Sequence, residues 1–166
     1  MNTNGRPSLR GTGESKAMGD ATTRDSYGET TARIVAGSVL ELRTRGHVSR
    51  ANSLAMFDHG AALLRDRPDV HALLFEMSEH EGHDPGNVAY GVRWIRDQAA
   101  QITRAAVVTR SHAFATLIHI GRVMIPRLEA AAFASREEAI AWCSAASAPE
   151  APTRHRTGRH RRSDAA

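Results

Sequence analysis

From Thr31 onward, apolar and polar positions fall into short periodic blocks, and their periods predict the elements. The stretches ARIVAG (32–37) and SVLELRTRG (38–46) meet at Gly37-Ser38, which reads as a hairpin of β-branched strands around a turn. In the second stretch Val39, Glu41 and Arg43 alternate with Leu40, Leu42 and Thr44, so one face can enter a core. Ser49 supplies a capping oxygen for a helix whose apolar positions Leu54, Phe57, Ala61 and Leu64 recur every three or four residues. Pro68 ends that helix.

VHALLFEM (70–77) is a nearly continuous apolar run, as expected of a strand covered on both faces. The polar run SEHEGHD then reads as a loop, and Asp84-Pro85 as the start of a helix through Tyr90, Trp94, Ile95 and Ala99. ITRAAVVT (102–109) is a second buried strand. Ser111 caps a third helix carrying Phe114, Leu117, Ile118 and Met124, stopped by Pro126. LEAAAF (128–133) is a last short strand, and Ser135 with Glu138 forms a capping box for a final helix through Ile140, Ala141 and Trp142. Strands alternating with helices predict an α/β fold: one mixed, mainly parallel sheet with an antiparallel opening hairpin and four helices.

Composition adds compartments to this picture. Residues 1–30 are rich in Gly, Ser, Thr and Asp without apolar periodicity and read as a disordered tail. Residues 31–146 form the domain, and residues 147–166 a basic tail with Arg154, Arg156, Arg159, Arg161 and Arg162. That tail holds most of the +4 net charge, so the excess does not mark a nucleic-acid surface on the folded part. No apolar run reaches the roughly 18 residues of a spanning helix, and no signal peptide opens the chain, so the expected location is cytoplasmic. A lone Cys143 excludes an intramolecular disulfide and a cysteine-based finger.

Four stretches carry a family resemblance: RGHVS (45–49), VHALLFEM with the following EGHDPG (81–86), ITRAAVVT, and FASREEAIAW (133–142). Over roughly 32–145 the chain resembles the STAS-like superfamily. The similarity is to its bacterial branch around the sporulation anti-anti-sigma factor, related to the CRAL-TRIO lipid-transfer domains. The resemblance implies a binding module without chemistry of its own. Its partner would be a protein, or an apolar, lipid-like ligand held between helices and sheet. It also implies a phosphorylatable serine at the start of the helix after the third strand. Here that stretch reads His83-Asp84-Pro85-Gly86, so the hydroxyl is missing, and Ser78 is the nearest serine.

The candidate ligand or partner residues are therefore Ser78, Asp84, Trp94, Phe114, Leu117 and Ile118. The third helix is apolar on more than one face, which implies a partner, a peripheral membrane contact, an internal ligand or a wide buried stripe. Trp94 and this helix suit a homodimer contact equally well. The alternative function is a small metal-dependent hydrolase built on Glu79-His80-Glu81-Gly82-His83-Asp84, since imidazole and carboxylate suit zinc or manganese. No HExxH spacing supports it, and no GxGxxG or GxxxxGK[ST] loop is present, so no cofactor, metal site or catalytic residue is assigned.

Overall fold

The computed structural model describes residues 19–111 and 125–145. Its elements are β1 (Ala21–Arg24), β2 (Gly28–Val35), β3 (Val39–Val48), α1 (Arg50–Asp66), β4 (Ala72–His83), α2 (Asn87–Asp97), β5 (Arg104–Val108), β6 (Glu129–Phe133) and α3 (Arg136–Ser144). The six strands form one sheet in sequence order. β1, β2 and β3 are antiparallel neighbours, whereas β3, β4, β5 and β6 run parallel. This is the mixed, mainly parallel sheet that the alternation of elements predicts. Parallel neighbours need a crossover between them, and α1 and α2 supply the first two.

Strand alternation divides the core in two. Leu40, Leu42, Leu73 and Ala105 point to one face, where they meet Met56, Phe57, Leu63 and Leu64 of α1 and Trp94 of α2. Val39, Ala72, Leu74 and Ala106 point to the other, where Ala139 and Cys143 of α3 cover them.

Four expectations are corrected. The sheet begins inside the stretch read as a tail, because β1 pairs Ala21–Arg24 with Ala32–Glu29 and brings Thr22 and Thr31 within hydrogen-bond distance. The run SEHEGHD is strand rather than loop: it extends β4 to His83, paired with β3 through two register shifts. Asp84 does not cap α2, whose N-cap is Gly86 at φ 88° without a side-chain cap. Three helices, not four, lie among the described residues; the helix expected after Ser111 falls on 112–124, outside them.

Other local readings hold. Ser49 caps α1 by accepting from Asn52 N–H at 3.2 Å, and Ser135 caps α3 by accepting from Glu138 N–H at 3.3 Å.

Candidate functional site

Three connections converge at the carboxyl end of β3 and β4. The β1–β2 turn is set by Asp25, whose carboxylate accepts from the N–H groups of Tyr27 (2.9 Å) and Gly28 (3.0 Å). Opposite it, Gly46 sits at φ 69°, and a Cβ on Gly28 would lie 2.5 Å from the carbonyl oxygens of Arg45 and His47. The two glycines thus permit a close approach, in which His47 N–H donates to Tyr27 O at 3.1 Å.

That approach places His47 beneath Tyr27, with ring centroids 6.4 Å apart in an edge arrangement. His47 Nε2 meets Asp84 Oδ1 at 3.0 Å, while Asp84 Oδ2 accepts from Arg50 N–H at 2.8 Å. Asp84 therefore serves the start of α1, where a carboxylate is favoured by the free N–H groups and the helix dipole. His47 and the Arg50 N–H hold the Asp84 carboxyl below its usual range. The hydroxyl of Ser49 and the N–H of Tyr27 do the same for Asp25. Asn87 closes the group by donating to Val48 O at 3.0 Å.

Just inside this pole, His80 Nδ1 lies 3.2 Å from Thr44 Oγ1 and Nε2 lies 3.2 Å from His83 Nδ1, with the two imidazoles stacked. Burial, then the neighbouring charges of His83 and His47, push the His80 pKa down to about 4, so it is neutral at pH 7. Behind these polar side chains lies an apolar cavity of about 190 Å³ between α1, α2 and the sheet, walled by Phe57, Phe75, Met77, Ile95 and Val107. A second space, of about 230 Å³, lies beside it and is lined by polar residues including Ser78, Thr109 and Ser111.

The predicted site residues part company here. Asp84 belongs to the pole. Ser78 lines the second space, and its hydroxyl donates to Glu76 Oε1 at 2.5 Å. Trp94 is 7% exposed and packs on Phe57 at 5.0 Å, within the core. Phe114, Leu117 and Ile118 lie outside the described residues. The residues Glu79 to Asp84 do not converge on one point. Glu79 pairs with Arg43 and Arg45, His80 turns to Thr44, and Asp84 turns to α1. Among the described residues no group of three or more His, Cys, Asp or Glu is placed to hold a metal ion. Cys143 is fully buried, and burial pushes its pKa up to about 11, which makes it an unreactive thiol at neutral pH. No helix among the described residues is long and apolar enough to cross a membrane.

Tyr27 and the role of His47 escaped the sequence reading. The Asp25-Ser26-Tyr27-Gly28 turn was a usable signal, but it lay in a stretch whose composition resembles a tail.

Three solved structures share the fold at low sequence identity. An uncharacterised protein from Shewanella loihica PV-4 with a SpoIIAA-like fold superposes with a TM-score of 0.56 at 13% identity, covering 75% of this chain and 94% of that one. The anti-sigma factor antagonist SpoIIAA in its unphosphorylated form gives a TM-score of 0.55 at 14% identity, over 70% of this chain and 98% of that one. The Bacillus cell fate determinant SpoIIAA in its phosphorylated form gives 0.52 at 14% identity, over 68% and 97%. No curated protein sequence matches significantly. The family model described as SpoIIAA-like matches residues 39–144, from the first residue of β3 to the last of α3. The chain belongs to the SpoIIAA-like family.

Proposed function

We propose that this chain is a non-catalytic regulatory module of the bacterial cytoplasm, and that it binds a protein partner of the anti-sigma factor class at the pole described above. Family membership supports the class, since a solved relative of the same fold is an anti-sigma factor antagonist. The observation that carries the choice of surface is Tyr27. It is 70% exposed, the only large hydrophobic side chain so exposed among the described residues, and it stands on a turn fixed by Asp25 and His47. A rigid, exposed tyrosine is the residue type that anchors protein interfaces. The start of α2 carries Asp84, Pro85 and Gly86 with no hydroxyl, so a phosphorylation switch at that point is not part of this reading.

Titration of the purified full chain against the anti-sigma factors of its own organism tests it. One of them binds, Tyr27→Ser weakens that binding about ten-fold or more, and Arg65→Ala at the far end of α1 leaves it unchanged. Binding to none, or equal binding by Tyr27→Ser, overturns the reading.

The apolar cavity supports a second reading, in which the module holds an apolar small molecule against the sheet.

A further inference from the structure

Two cavities share one wall. β4 and β5 run side by side only as far as Glu76 and Val108. Beyond that pair β4 continues to His83, whereas the chain after β5 turns through Thr109, Arg110 and Ser111, and the Ser111 N–H donates to Thr109 Oγ1 at 3.0 Å. The separating strand ends leave a space of about 230 Å³, lined by Ser78, Thr109, Arg110 and Ser111. Its other two walls, Met77 and His80, also wall the apolar cavity of about 190 Å³.

The two spaces differ in chemistry. One is lined mainly by aromatic and aliphatic residues, the other by three hydroxyl residues and Arg110. Arg33, Arg43, Arg45, Arg104 and Arg136 each face a carboxylate. Arg110 makes no ion pair among the described residues, and the Glu76 carboxylate, which accepts from the Ser78 hydroxyl, is already engaged by Arg43 at 3.0 Å.

We propose that the two spaces form one site for a single-chain amphiphilic carboxylate, with its hydrocarbon tail in the apolar cavity and its head on Arg110, beside the hydroxyls of Thr109 and Ser111. The proposal rests on the apolar-ligand reading and adds the charged head to it. A guanidinium matches a carboxylate in two parallel hydrogen bonds, and Met77 on the shared wall is a flexible side chain that can yield to a chain passing between the spaces.

Calorimetric titration of the delipidated full chain with decanoate and with decanol tests it. Decanoate binds once per chain and about ten-fold tighter than decanol, the size of one charge-assisted pair. Arg110→Ala removes that difference and leaves decanol unchanged. Val107→Phe, which fills the apolar cavity, weakens both ligands; Ala130→Leu on the same wall replaces it if thermal melting shows that Val107→Phe does not fold. Equal affinity for the two ligands, or a difference that survives Arg110→Ala, overturns the charged-head assignment while the apolar-ligand reading stands. Binding of neither ligand overturns both.

Discussion

His80 sits where a charge is costly, half-buried between Thr44 and His83 on the wall of the apolar cavity. Its pKa falls from an ordinary 6.5 to about 4 on folding, so between these values the unfolded chain holds the extra proton. The neutral imidazole therefore contributes stability that is fully present above about pH 6.5 and is lost as pH falls through about 4. Urea midpoints at pH 7 and pH 4.5 check this: the fall on acidification is larger for the native chain than for His80→Gln, and an equal fall refutes it. At this scale the sequence was legible where a residue acts on its own neighbours. Ser49 and Ser135 cap the helices they precede, because capping is decided within three residues. Asp84 was misread because Pro85 beside it suggested a helix start, whereas its partners His47 and Arg50 are brought to it by strand pairing.

Elements are joined here by few, well-placed polar groups. The side-chain amide of Gln101 donates toward three carbonyls, Leu64 (3.1 Å), Arg67 (2.9 Å) and Val70 (3.0 Å), and so ties the segment after α2 to the end of α1 and the approach to β4. Gln101→Ala leaves those carbonyls without this donor and destabilises the fold by about 1–3 kcal/mol, measurable by chemical denaturation. A loss below a few tenths would show that water replaces the amide. The extent of β4 was the element least visible in the sequence. Glu79, His80 and His83 look like loop by polarity, but each is held by pairing to β3, and Glu79 and His80 also by Arg43, Arg45 and Thr44, while Glu81 falls at a register shift between them. β1 was hidden for a related reason: Ala21, Thr22, Thr23 and Arg24 have no apolar pattern, and an edge strand needs little of one once β2 offers its backbone.

For the molecule as a whole, the order of strands and helices was readable because buried parallel strands such as 72–75 and 105–108 are apolar on both faces, and turn residues punctuate them. The candidate site was less readable, since it is assembled from Tyr27, His47, His80 and Asp84, which only the sheet register brings to one end. One feature of the interior governs how the ends of the fold hold together. Glu41 is fully buried and held between Arg33 of β2 and Arg136 of α3, each at 2.5 Å. Burial alone would raise its pKa, and the two guanidiniums more than offset this, leaving the carboxyl below its usual range. Arg136→Met removes half of that compensation and costs on the order of 3 kcal/mol in a denaturant titration; a change under 1 kcal/mol would show that Arg33 alone suffices. A nine-residue helix at the end of a domain is ordinarily the first part to fray. Lifting this one away breaks the Glu41–Arg136 pair and uncovers the sheet face of Val39, Leu74 and Ala106 that Ala139 and Cys143 cover, so its amide protons exchange with solvent on the timescale of the central strands, and the helix opens when the sheet does.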